Sequence, residues 1–265
     1  MYQDSSGKVL STQTVVNGTS YDADWYLPVG TATGFMLVEH GFSRNCGNLR
    51  NVSLNFLQRG IMVLCLNTDM TGGKQDLGIA LGEQIANGQL QAPEGRSMPA
   101  AIVVGGHSAG GHFATAVGRR LAERNVAGFR GAVLFDPVAA GGFTDNLMAI
   151  SAGGTRGVFA ITSNGSLCNQ FNNAYGALKQ ISNPFVGVQL TSKSTHVDSE
   201  GYNTNFLGYV ACLQSPPKGN NIQILQDMSG VWAADLLNGT HNPDHYPGGN
   251  YFTLHQSWGE LKPIK

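Results

Sequence analysis

Short apolar runs recur along the chain without alternation: Phe35-Met36-Leu37-Val38, Ile61 to Leu66, Ala101 to Val104, Ala132 to Phe135, Val158 to Ile161 and Phe185 to Leu190. Runs of this kind are strands buried on both faces. Between them lie stretches with helical spacing, at Asn48–Arg59, Lys74–Asn87, His112–Arg124 and Asn169–Gln180. Strand and helix alternate, which predicts an α/β fold with a mostly parallel sheet and helices on both faces. The first thirty residues differ. Lys8–Val16 and Ser20–Leu27 alternate moderately around Asn17-Gly18, a hairpin turn signal. The sheet is therefore expected to start with an antiparallel edge. After Asn203 the pattern predicts helices over Asn205–Leu213 and Ile222–Leu237, and a loop-like end over His241–Lys265.

The chain has 265 residues and no internal repeat or composition break, and it reads as one domain spanning 1–265. Charged residues make up 12 %, about half the usual share, and the net charge is −1. Without a basic excess, nucleic acid is not an expected partner. No apolar run approaches the ~20 residues that cross a bilayer, so no membrane insertion is expected. The start, MYQDSSGKVL, lacks a basic and an apolar leader region. That leaves a cytoplasmic protein or one whose leader has been removed. The surface, poor in charge and rich in Gly, Asn, Thr and Ser, favours a secreted or periplasmic location. Four cysteines allow three full pairings. Cys65, inside an apolar run, reads as a small buried hydrophobe. Cys168 and Cys212 flank the segment that holds His196 and are expected to pair.

The chemistry concentrates after the third apolar run. Ala101–Val104 leads into Gly105-Gly106-His107-Ser108-Ala109-Gly110-Gly111, and a helical stretch follows. G-x-S-x-G between a strand and a helix is the setting of a nucleophilic serine on a tight turn. Ser108 is the expected nucleophile. The N–H of Ala109 and the helix start are aimed at the oxygen of the attacked carbonyl. A serine needs a base, and the base an orienting carboxylate. In this order of elements they follow as acid, then histidine. His196 lies in the loop after the last apolar run, at the strand end that faces the same crevice. Asp136 ends the run Ala132–Phe135, with Asp145 and Asp198 as alternatives. One strand later, Ile161-Thr162-Ser163-Asn164 offers no carboxylate. The loop after Phe35–Val38, Glu39-His40-Gly41-Phe42-Ser43, is expected to supply the Phe42 N–H as second oxyanion donor, with His40 orienting the loop.

With these residues the chain resembles the α/β-hydrolase superfamily, in its chlorophyllase-like and cutinase-like polyesterase branch. Gly106 to Gly111 resembles the GHSxGG of that branch, Asp136-Pro137-Val138-Ala139 the DPVA of chlorophyllases, and Leu57–Asn67 the helix end and strand that follow the oxyanion loop in bacterial cutinases. The likeness covers roughly residues 8–213. It implies Ser108, Asp136 and His196 as a triad and a carboxylic ester as substrate. Only Asp136 to Arg156 separate two strands where lids usually enter, so an open cleft without a large lid is expected. Its candidate walls are Phe42, Met70, Phe143 and Val197. An open cleft suits a bulky or polymeric neutral ester. The same apparatus serves an amidase or polyamide hydrolase, and a non-catalytic binding protein of this fold is a further alternative. No phosphate loop, dinucleotide fingerprint or metal-ligand spacing occurs, so neither cofactor nor metal is expected. His241-Asn242-Pro243-Asp244-His245 reads as a loop turn. The sequence does not indicate an oligomeric state.

Overall fold

A computed structural model describes residues 2–265. Ten strands form one sheet: β1 (Tyr2–Gln3), β2 (Gly7–Val16), β3 (Thr19–Pro28), β4 (Gly34–Glu39), β5 (Ile61–Asn67), β6 (Ile102–His107), β7 (Phe129–Phe135), β8 (Gly157–Thr162), β9 (Gly187–Leu190) and β10 (Leu261–Pro263). Their order across the sheet is β1-β2-β3-β5-β4-β6-β7-β8-β9-β10. The six strands from β5 to β9 run parallel, and both flanks are antiparallel. The hairpin turns where expected. Asn17 and Gly18 both take positive φ, 48° and 77°, and Val16 faces Thr19.

The central strands are buried along their whole length, and the pleat divides their side chains between two cores. Phe35 and Leu37 of β4 and Val104 of β6 point into one. Met36 and Val38 of β4 and Val103 of β6 point into the other. The first core is closed by α2 (Gln75–Ala86), α3 (Ala109–Glu123), α4 (Phe143–Ser151) and α5 (Tyr175–Gln180). The second is closed by α1 (Arg50–Gln58), α7 (Gly219–Asn238) and α8 (Asn250–Ser257). A short helix, α6 (Phe206–Val210), sits between β9 and α7. Only a short segment joins β7 to β8, and among the described residues no large lid covers the sheet.

Three expectations are corrected. His241–Lys265 is not loop throughout. It forms α8 and then β10, which pairs antiparallel with β9 at Leu261↔Leu190 and closes the far edge. The Gly and Pro residues there punctuate short elements. Helix Asn169–Gln180 is reduced to Tyr175–Gln180, because the side chains of Asn169, Asn172 and Asn173 bond locally in competition with a helical backbone. Cys65 is not a free hydrophobe but is bonded to Cys46, 19 residues away, while Cys168 and Cys212 are paired as expected.

The strand order places the site. The chain leaves β4 for β5 on one side, then crosses back to β6 on the other. The carboxyl ends of β4 and β6 are thus neighbours at the point where the order reverses, and the loops that leave them bound a crevice.

The tail covers a sheet face that would otherwise be wet. Trp232 of α7 is fully buried, with its ring 5.2 Å from Phe159 and 5.7 Å from Phe185, and its indole N–H donates to the His245 carbonyl at 3.0 Å. Trp232→Ala is expected to lower unfolding free energy by about 3–5 kcal/mol. A urea titration checks this, and a loss under about 1 kcal/mol would contradict the packing described.

Candidate active site

The serine stands on a strained turn. Ser108 links β6 to α3 with φ 55° and ψ −123°, a conformation that a side chain rarely adopts. Its N–H donates to the Phe135 carbonyl at 3.1 Å, and its carbonyl accepts from Gly111 and Val138 at 3.0 and 3.2 Å. The flanking glycines are required by space. A Cβ at Gly106 would meet the Gly110 carbonyl oxygen at 2.3 Å, and one at Gly110 would meet the carbonyl oxygens of His40 and Glu39 at 2.2 and 2.4 Å. The first turn of α3 therefore lies directly on the loop that leaves β4. At Gly41 a Cβ would stand 3.0 Å from the Ser108 Cβ. Among the described residues, neither the Phe42 N–H nor the Ala109 N–H donates to another protein group. Both belong to the backbone that brackets Ser108.

Asp136 directly follows β7 and has its own positive φ of 39°. Its buried carboxylate accepts from the Ser163 N–H at 3.0 Å, the Ser163 hydroxyl at 2.6 Å, Asn169 Nδ2 at 3.1 Å and His196 Nδ1 at 2.7 Å. With Nδ1 carrying the proton, His196 keeps the lone pair of Nε2 for a second partner. The imidazole is fixed through its backbone as well. The His196 N–H donates to Gln214 Oε1 at 2.9 Å, and its carbonyl accepts from His107 Nε2 at 2.7 Å. Burial drives the His107 pKa well below its ordinary value, so that ring is neutral and donates through Nε2 alone. The rings of His107 and His196 lie 4.6 Å apart, which brings the imidazole beside the residue preceding the serine. Among the described residues no hydrogen bond joins the Ser108 hydroxyl to His196. Contacts of this kind are commonly long until a substrate is seated.

Among the described residues neither alternative acid bonds the His196 ring. Asp145 is exposed on the first turn of α4. Asp198 is buried, accepts from the Thr195 N–H and hydroxyl at 3.0 and 2.9 Å, and is pushed up to about 7, chiefly by burial.

An open cleft of ≈ 270 Å³ lies over Ser108, lined by Phe42, Met70, Ala109, His112, Val138 and Cys168, among others. Phe42 and Met70 were expected there. Phe143 and Val197 are not on it. Phe143 is turned into the core, stacked on the His112 ring at 6.0 Å, and Val197 is buried beneath the histidine loop. The shape of the loops, not their closeness in sequence, decides which side chains face the cleft.

His40 donates through Nδ1 to the Gly41 carbonyl at 2.9 Å, so it does hold the loop that carries Phe42. Glu39, His40 and Cys46 approach one another, but the Cys46 sulfur is bonded to Cys65 and no thiolate remains for a metal. His241 to His245 form a turn capped by the Asn242 side chain.

Several positioning residues were not expected. Arg44 in the loop after β4 grips Glu200, which is fully buried, with Nε at 2.7 Å from Oε1 and Nη2 on Oε2. That pair ties the Phe42 loop to the His196 loop. Ser163, Asn169 and Gln214 are the others. They are polar residues in irregular segments, and no periodicity marks them.

No protein-family model matches the sequence, and no curated protein matches it. In fold, the chain is similar to a solved structure described as the esterase domain of a Rhodothermus marinus protein, at 16 % identity and a TM-score of 0.60, covering 87 % of this chain and 100 % of that one.

Gly110→Ala is expected to separate the nucleophile helix from the β4 loop. An alanine in a helix ordinarily stabilises by about 1 kcal/mol. Here thermal melts should instead show a loss of about 1–3 kcal/mol, and stability at or above the parent's would contradict the contact. Asp198 gives a pH signature. An unfolded carboxyl titrates near 3.9 and this one near 7, so its ionisation destabilises the fold progressively as pH rises from about 4 to 7. Asp198→Asn should therefore match the parent at pH 4 and exceed it in melting temperature at pH 8. An offset that does not change with pH would refute this.

Proposed function

We propose that the protein is a serine-dependent carboxylic ester hydrolase that works through an acyl-enzyme. The observation that carries this is the gathering at one sheet edge of a strained Ser108, an Asp136–His196 pair at 2.7 Å and two unengaged N–H groups. The similar fold, described as an esterase domain, agrees with it.

In this reading Ser108 Oγ attacks the ester carbonyl while His196 Nε2 takes the hydroxyl proton. Asp136 holds the imidazole in the Nδ1–H tautomer and offsets the charge of the imidazolium. The carbonyl oxygen becomes an oxyanion and accepts from the Phe42 and Ala109 N–H groups. Both sit at the N-terminus of α3 or against it, where the helix dipole adds to the effect. His196 then passes the proton to the departing alcohol. A water molecule, deprotonated by the same nitrogen, attacks the acyl-enzyme, and the proton returns to Ser108 as the acid leaves.

The surroundings favour a bulky or polymeric neutral ester. Phe42, Met70, Val138, Ala139 and Ala140 supply apolar walls. Leu167 and Phe171 flank the Cys168 wall and are 58 % and 70 % exposed, and Leu207 and Leu213, on the segment joined to it through Cys212, are 69 % and 81 % exposed. The segments Ser163–Leu178 and Asn203–Pro217 contain no charged residue. These two uncharged segments match a neutral, extended ligand. The two disulfides suit an oxidising compartment, which supports a secreted or periplasmic location. Among the described residues no helix is long and apolar enough to cross a membrane.

A fluorophosphonate probe tests the reading. It should label the parent protein, and Ser108→Ala should lose both the label and ester turnover while still folding. Asp136→Asn should lower kcat about 10⁴-fold by setting the wrong histidine tautomer. An unlabelled parent, or full activity in Ser108→Ala, would overturn the proposal.

A further inference from the structure

The Asp136–His196 pair is held from both ends, and the two holders are joined by a covalent bond. On the acid side, Asn169 Nδ2 reaches Asp136 Oδ2 at 3.1 Å, Oδ1 at 3.3 Å and the Ser163 hydroxyl at 3.2 Å. On the base side, Gln214 Oε1 accepts the His196 N–H at 2.9 Å. Asn169 directly follows Cys168, and Gln214 lies two residues after Cys212. The Cys168–Cys212 disulfide closes a ring that runs from Asp136 through Asn169, the two sulfurs, Gln214 and His196 back to Asp136.

The Asn169 segment is held mainly by local side-chain hydrogen bonds and by Asn173 on the Ala139 backbone, and the Gln214 segment by Arg44 on Asn205. Asn169 lies in the irregular stretch between β8 and α5, and Gln214 lies after the five-residue α6. Neither belongs to the sheet. Around Cys212, Leu207, Val210 and Leu213 face solvent instead of packing on a core. A side chain whose support is not packed against a core holds its partner less exactly, and catalysis is sensitive to displacements of about 1 Å.

We propose that the Cys168–Cys212 disulfide is a positioning element of the Asp136–His196 pair. It acts through Asn169 and Gln214, so that turnover, and not only stability, depends on the sulfur–sulfur bond. This rests on reading Ser108, Asp136 and His196 as the catalytic groups.

The test begins with fluorophosphonate labelling of the parent. Absence of label overturns the catalytic reading and this proposal with it. Given a labelled parent, Cys168→Ala/Cys212→Ala is assayed on a short soluble ester, with near-UV circular dichroism to verify folding. The expected result is a fall in kcat of about tenfold or more with KM changed less than about twofold. Asn169→Ala is then added in both backgrounds. It should cost about tenfold with the disulfide present and less than about threefold without it, because both changes release the same groups. Unchanged kcat in the disulfide-free protein, or losses that multiply, would overturn the proposal while leaving the catalytic reading intact. Should that variant not fold, Asn169→Ala and Gln214→Ala are compared singly and together with the disulfide intact. A combined loss smaller than the product of the two supports the ring, and a full product overturns it.

Discussion

The contact on which the site depends is between two pieces of backbone. The first turn of α3 rests against the chain leaving β4 so closely that no side-chain carbon fits at Gly110, and Gly106 is just as confined. This approach sets the backbone of the β4 loop, at Gly41, directly against the turn that carries Ser108. It also fixes the kinked backbone of Ser108, whose strain is carried by two well-packed neighbours, a fully buried strand and a 15-residue helix. Strain of this sort persists only where the surroundings over-determine it.

Polar interactions then bind the loops to one another above the sheet. The Arg44–Glu200 pair joins the loop after β4 to the loop after β9. His107 joins the nucleophile turn to the same loop through the His196 carbonyl. Asn169 and Ser163 join the β7 and β8 ends at Asp136. Removing one member of a buried ion pair leaves its partner charged in a poor solvent, at a cost of about 3–5 kcal/mol. Such pairs restrain the loops more than they stabilise the fold.

The openness of the cleft follows from the same topology. The segment between β7 and β8 holds one nine-residue helix and short turns, so the cleft over Ser108 opens directly to solvent. The exposed Leu167, Phe171, Leu207 and Leu213 stand on segments that the second disulfide joins.

Much of this was legible along the chain. Uninterrupted apolar runs marked the buried parallel strands, since a strand covered on both faces has no polar side to show. Asn17-Gly18 marked the hairpin, because few residues accept two positive φ values in succession. That Ser108, Asp136 and His196 lie at one sheet edge was legible because each follows the carboxyl end of a strand. The Cys46–Cys65 bond, the β10 edge and the roles of Arg44, Asn169, Gln214 and Glu200 were not. They depend on which residues meet across gaps of 18 to 156 positions, and loop residues carry no period from which to infer it. Phe143 and Val197 show the same limit from the other side, for neighbourhood in sequence does not determine whether a side chain turns to a cleft or to a core. Local backbone preference and burial were thus written in the sequence, and the pairing of distant polar groups was decided only when the sheet had brought its loops to one edge.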